Sequence, residues 1–354
     1  MQRRRLVASV LLASSSTCRA YSILSTPVAI PRSRVLLEHN SPMLFVGSCF
    51  GENIFSLLKD LKFSHIASNP QGIAFNPVSI AVQLENSLKK RIWIEDDLAI
   101  SPYASDIVFG YDHHTSFSGL VKDKVEVIKK MNSRTSEASK ILTDAKDGGF
   151  VFLTLGTAKT HTLLSNGRVV SNCHKQPSSL FTSSIMTVDQ VVGCLASAIA
   201  LLPPKVHVVL TVSPVRHTRE TLQVNSLSKA VLRVACSTLC ERFPQQVSYF
   251  PSFEIMTDEL RDYRFYEKDL IHPNDVAKDV LFERFSSTFF SPECATKCEE
   301  IKGITAMYRH RVGEALAESL EYKSHCRRLV ERMLLHDEAL FREELEDLQS
   351  RFIN

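Results

Sequence analysis

The sequence predicts an α/β fold built on a mostly parallel sheet, followed by a charged helical appendage. Three observations carry that expectation. Residues 149–156 (GFVFLTLG) and 206–214 (VHVVLTVSP) are near-continuous apolar runs, the pattern of strands covered on both faces. Segments of helical periodicity, 187–202 (TVDQVVGCLASAIALL) and 221–243 (TLQVNSLSKAVLRVACSTLCERF), alternate with them. Such alternation places ligands at the carboxyl ends of the parallel strands.

The remaining elements follow in order. MLFVG (43–47) is a short apolar run stopped by a glycine, and FGENIFSLLKDL (50–61) then repeats apolar residues at helical spacing, so the stretch reads as strand, tight turn, helix. Between 70 and 120 clean periodicity is lost. That segment reads as loop, with NPQGIAFNP and YDHHTSFSG as its polar landmarks. The helix over 187–202 opens on Thr187 as N-cap with Asp189 in its first turn, and QVSYFPS (246–252) reads as a short strand. From 291 onward acids and bases interleave in helical sequence, as expected of an appendage or a surface for self-association. The expected division is a leader at 1–37, a catalytic-type domain at 38–290 and a helical extension at 291–354.

The first 37 residues hold six arginines, no lysine and no acid. Arg-rich, Ser-rich and acid-poor composition describes an organelle transit peptide, while MQRRR, LVASVLLA and STCRA in that order also fit a secretory signal, so plastid, mitochondrion and secretory route stay open. Without those arginines the formal net charge passes from +3 to −3, which leaves the folded body without the basic face that nucleic-acid binding requires. No apolar run reaches the ~20 residues of a membrane helix. Nine cysteines are present; Cys236 and Cys240, like Cys294 and Cys298, lie four apart in helical sequence and read as small buried hydrophobes, not metal ligands. Neither a metal nor a cofactor is expected.

The chemistry concentrates after strand ends. Ser48 and Cys49 occupy the turn between the first apolar run and its helix, where a fold presents a nucleophile. Asp269 and His272 in EKDLIHPND form a D-x-x-H-P arrangement, in which the carboxylate holds one imidazole nitrogen and leaves the other to act as base. An oxyanion needs donors, and Gly72 in NPQGIAFNP, Asn172 in SNCHKQP and the backbone N–H of the nucleophile are the candidates. His174, Arg216 and His217 line the expected pocket, and Lys175 stands beside His174; such cations suit a substrate with an acidic group. The alternative partner for Arg216 is an acid such as Asp262. His113 and His114 read as pocket lining, since adjacent histidines rarely face one ion.

The blocks FVGSCFGENI, NPQGIAFNP, FLTLGTA, VSNCHKQP, LTVSPVRHT, NSLSKAVLR and YFPSFEIMTDELRDYRFYEKDLIHPN together resemble the GSCFA family, which belongs to the wider SGNH hydrolase group, over about residues 42–290. The resemblance implies a three-layer α/β/α sandwich and ester or acyl-transfer chemistry, with a hydroxyl or thiol nucleophile, an Asp-His pair and a Gly/Asn oxyanion hole. Laid on the G-D-S block of SGNH enzymes, VGSCF puts Cys49 on the nucleophile, and Ser48 takes that place only if the block shifts by one. The third block, G-x-N-D, appears as Gly156, Thr157, Ala158 and Lys159, without its asparagine. The expected activity is hydrolysis of a small-molecule or glycan acyl ester. Acyl transfer on the same site, a non-catalytic binding protein, and a thiol pairing of Cys49 with Cys173 are the alternatives.

Overall fold

The computed structural model describes residues 25–101, 103–219, 221–309 and 320–350. The leader expectation falls mainly on residues 1–24, outside the described residues. The chain forms two compact units. The larger comprises Ser41–Ser56 and His65–Phe289 with the described residues before Leu36, and the smaller comprises Leu36–Asn40, Leu57–Ser64 and the described residues from Phe290 onward.

The larger unit carries the elements β1 (Met43–Gly47), α1 (Cys49–Asp60), β2 (Ile66–Ser68), α2 (Pro77–Leu88), β3 (Ala99–Ser101), β4 (Ala104–Phe109), β5 (Gly119–Leu120), α3 (Lys124–Asp144), β6 (Gly149–Leu155), β7 (Lys159–Leu163), β8 (Val169–Val170), β9 (Phe181–Ile185), α4 (Val188–Ile199), β10 (Val206–Val212), α5 (Leu222–Arg242), β11 (Val247–Tyr249) and α6 (Asp275–Phe289); α1 passes into the smaller unit at its end. Five strands make one parallel sheet in the order β11-β10-β6-β1-β2. Alternation along these strands separates two cores. Leu44, Val46, Val151, Leu153, Val208 and Leu210 face α2, α3, α4 and α5 in an aliphatic layer. The opposite face is ringed: Phe45 stacks on Phe152 at 4.6 Å, and Phe152 meets Phe285 and Phe289 of α6 at 5.4 and 5.8 Å. Helices cover both faces, so the domain is the three-layer α/β/α sandwich that the resemblance implied.

The strands at 43–47, 149–155 and 206–212 and the helices α4 and α5 lie where periodicity put them, and Thr187 caps α4 in a box with Gln190. The segment 70–120 differs from the loop expected. It holds α2, capped by Asn76 with Pro77 in its first turn, and the antiparallel sheet β3-β4-β5. The buried face of α2 interleaves Ser79, Gln83 and Ser87 with Ile80, Ala81 and Leu84, which blurs the apolar period. A second antiparallel sheet, β8-β7-β9, follows β6.

Under β3-β4-β5 lies a satellite core of Trp93, Val108, Phe117, Val127 and Met131. Trp93 Nε1 donates to Thr135 Oγ1 at 2.9 Å, and the His113 ring meets the Trp93 ring edge-on at 4.4 Å. His113 is 1% exposed with both ring nitrogens unpartnered, so burial pushes its imidazole down to about 3.

The smaller unit contains α7 (Pro292–Arg309), α8 (Leu320–Asp337) and α9 (Arg342–Leu348) around Ile301, Ile304, Leu329, Met333, Phe341 and Leu345. Leu37 bridges Phe290, Ser291 Oγ donates to Glu38 at 2.8 Å, and Lys62 pairs with Glu344. The helical extension expected from 291 thus shares its unit with two segments from much earlier in the chain. No helix among the described residues is long and apolar enough to cross a membrane.

Burial also lowers His207, on the ringed face of the sheet, to about 4. A histidine held neutral in the fold stabilises fully above its unfolded pKa of about 6.5, and that contribution is lost as pH falls toward the folded value. Urea midpoints followed by circular dichroism are therefore expected to drop between pH 6.5 and 4, and His113→Phe is expected to lose less over that interval than the wild type.

Candidate active site

In a parallel sheet of this order, the first and third strands to be laid down are neighbours whose crossovers leave in opposite directions, and the crevice opens above their carboxyl ends. Here those strands are β1 and β6. Their last register pair is Gly47 with Thr154, and Ser48 N–H donates to Thr154 O at 3.0 Å. Gly47 has φ +137°, and a Cβ there would lie 2.2 Å from Thr154 O, so only glycine fits. The chain turns at Ser48 and begins α1 at Cys49. Asn69, past the end of β2, secures the turn: its Oδ1 accepts from Gly47 N–H at 2.8 Å while its Nδ2 donates to Glu52 of α1, also at 2.8 Å.

Ser48 is 1% exposed and its Oγ is buried without a partner, whereas the Cys49 side chain is partly accessible at the start of the helix. Burial raises the Cys49 thiol, and its own backbone N–H, the Lys229 charge and the Phe50 N–H pull it back. The helix start thus supplies two backbone donors beside the sulfur. Cys49 and Cys173 are both free thiols.

Asp269 and His272 lie on the loop immediately before α6, well past the end of β11. Asp269 Oδ2 stands 2.7 Å from His272 Nδ1, and Oδ1 accepts from the N–H groups of Ile271 and His272 at 2.9 and 3.0 Å. These bonds from His272 and the backbone lower the Asp269 carboxyl to about 2. They also orient the imidazole with Nε2 turned away from the carboxylate. Neither ring nitrogen of His272 hydrogen-bonds Ser48 or Cys49.

A family model described as the GSCFA family matches residues 42–285, more than half of the chain. The chain belongs to the GSCFA family. No curated protein and no solved structure matches it.

Several residues of the GSCFA blocks have roles different from those expected. Gly72 N–H donates to Asn69 O at 2.7 Å, so it is spent inside its own turn and is not an oxyanion donor; φ of +83° and the His114 Cβ, 2.4 Å from where a Cβ would lie, explain the glycine. Asn172 Oδ1 accepts from His174 N–H at 2.8 Å and shapes the turn in which His174 and Lys175 take positive φ. His174 stacks on Phe109 at 4.3 Å with Nε2 2.9 Å from Gly110 O and 3.0 Å from His113 O, which makes it a buried brace between loops. Both residues follow β8 of the small sheet, away from the strand ends of the main sheet in chain order. Arg216 pairs with no acid among the described residues; its guanidinium lies 4.2 Å from the Tyr266 ring and 5.2 Å from that of Tyr263, and donates to Leu270 O at 3.3 Å. His217 is lowered to about 4, chiefly by burial, and its Nε2 has no partner. Among the described residues no group of three His, Cys, Asp or Glu could hold a metal.

The NSLSKAVLR block holds the polar residues that fix the loops at the strand ends. Asn225 Oδ1 accepts from His217 N–H at 2.9 Å, Ser228 Oγ accepts from Ala158 N–H at 2.7 Å, and Lys229 Nζ donates to Gly156 O and Ser213 O at 2.7 and 2.6 Å. One helix therefore clamps the loops leaving β6 and β10. Ser228 and Lys229 share the buried face of α5 with Leu232, Ala235, Cys236 and Leu239. Two polar residues on an apolar helical stripe were the available signal. Ala158, where the third block lacks its asparagine, is fully buried and contributes no side-chain donor.

Gly47→Ala is expected to cost several kcal/mol through its clash and its backbone strain. The check is urea denaturation, in which the variant should unfold at far lower urea or fail to accumulate as soluble protein.

Proposed function

We propose that this GSCFA protein is an SGNH-like hydrolase that cleaves an ester or acyl group through an acyl-enzyme intermediate on Cys49. The observation that carries this reading is the Asp269–His272 pair, held at 2.7 Å, in a domain whose first sheet strand ends in a partly accessible thiol at a helix start. Cys49 is preferred to Ser48 because a sealed Oγ has neither access to a substrate nor a base beside it. In this reading thiolate attack forms the thioester, the N–H groups of Cys49 and Phe50 receive the oxyanion, and His272, oriented by Asp269, serves as acid to the leaving alcohol and as base to the incoming water. Arg216, fixed against Tyr266 beside the Asp269–His272 turn, favours an acyl ester with an acidic group.

A binding protein on the same scaffold is the second reading, favoured by Ala158 in the third block and by the absence of a hydrogen bond between His272 and Cys49. The oriented Asp269–His272 pair, which a binding role does not require, keeps hydrolysis ahead. An alcohol or amine acceptor in place of water would turn the same intermediate to acyl transfer.

The test is incubation with activated esters of graded chain length, followed by mass mapping and assay of acid release. The expected adduct is on Cys49, absent in Cys49→Ala and retained in Ser48→Ala; His272→Ala and Asp269→Asn are expected to slow release by about 10²-fold or more. An adduct lost in Ser48→Ala alone would transfer the role to serine. No adduct at any chain length in the wild type would favour the binding reading.

A further inference from the structure

Lys229 is 2% exposed, and among the described residues no carboxylate lies within salt-bridge distance of it. An ammonium in such a place is held only at a cost of several kcal/mol unless something else requires it. Its surroundings are specific. Gly156 and Ser213 follow immediately after the paired residues Leu155 and Val212, so their carbonyls stand side by side at the ends of β6 and β10. Cys49 and Gly156 each lie two residues past the register pair Gly47 and Thr154, at the ends of adjacent strands. Lys229 is thus bound at the level of the sheet from which Cys49 starts its helix.

The Nζ valences sharpen the point. A neutral amine has two N–H bonds and a lone pair, and an ammonium has three N–H bonds. Two donors are taken by Gly156 O and Ser213 O in either state. The third position alone changes, from acceptor to donor, and no acceptor among the described residues occupies it.

We propose that Lys229 is the charge partner of Cys49: an ammonium held at the ends of β6 and β10 favours the thiolate at the end of β1, the thiol giving its proton to water and the amine taking one from water while both carbonyl bonds persist. This rests on Cys49 as the nucleophile of the proposed hydrolase, and it assigns the charge state of the sulfur to Lys229, leaving His272 for the leaving group and the water. Burial drives Lys229 down to about 7 and the Cys49 charge opposes that; at the sulfur, the Lys229 charge opposes the effect of burial. The remaining titratable neighbour is His217, whose ring feels Lys229, His272 and Arg219 and, at about 4, is neutral while the pair titrates.

The experiment is the pH dependence of Cys49 alkylation by iodoacetamide in the full chain, read site by site by mass spectrometry. Lys229→Met is expected to move the midpoint up by at least one pH unit, making alkylation at pH 7 about tenfold slower or more. His272→Ala is expected to leave the midpoint in place. Because Lys229→Met strands two carbonyls and can fail to fold, a second arm uses Cys49→Ala: in 13C-lysine-labelled protein the lysine resonance that titrates near neutrality should move to lower pH when the sulfur is removed, coupling being reciprocal. Superimposed alkylation profiles, or a lysine resonance indifferent to Cys49→Ala, would overturn the proposal. A Lys229-dependent alkylation profile without any acyl adduct would leave the pair standing and sink the hydrolase reading instead.

Discussion

The contact on which the site depends is the one where β1 meets β6 at Gly47 and Thr154, with no room for a side chain on Gly47. With Gly47 at φ +137° the chain turns out of the sheet at Ser48 and enters a helix whose first N–H groups are without intrahelical acceptors. Sulfur, donors and crevice all follow from one missing Cβ. Asn69 and Glu52 then hold the turn from the β2 side, which converts a flexible glycine bend into a fixed mount.

A second constraint is that the loops at the sheet's carboxyl rim are held from below by polar groups on otherwise apolar helices. Gln83 of α2, fully buried, donates to Gly72 O at 2.7 Å, and Asn225, Ser228 and Lys229 of α5 do the same work for the loops after β6 and β10. Each of these bonds satisfies a backbone group that would otherwise be stranded in the interior. Helices that appear in the sandwich as mere cover are also the fixtures of its functional edge, and their polar residues trade hydrophobic burial for placement.

This is also why legibility was uneven. The strands β1, β6 and β10 announce themselves because both faces are buried and nearly every residue is apolar, and Gly47, Cys49, Asp269 and His272 stand in compact local patterns. The helix α2 was hidden because its inward positions are spent on hydrogen bonds to a turn that is distant in mechanism though near in sequence. Lys229 was hidden for the same reason at longer range, since its partners lie 73 and 16 residues away and no spacing rule connects them. Gly72 shows a local use of a motif residue, since its N–H closes its own turn on Asn69 O, and Asn172 spends its Oδ1 on the turn at His174.

The sole tryptophan of the chain is Trp93, in the satellite core under β3-β4-β5 and not in either layer of the main sandwich. Its indole touches the imidazole of His113 and the guanidinium of Arg91, which stacks at 4.5 Å. Intrinsic fluorescence from this protein is accordingly a local reporter. Excited selectively over the eight tyrosines, the indole follows the small antiparallel sheet and the protonation of one histidine, not the parallel sheet or the smaller unit, which hold tyrosines such as Tyr249, Tyr308 and Tyr322 but no tryptophan.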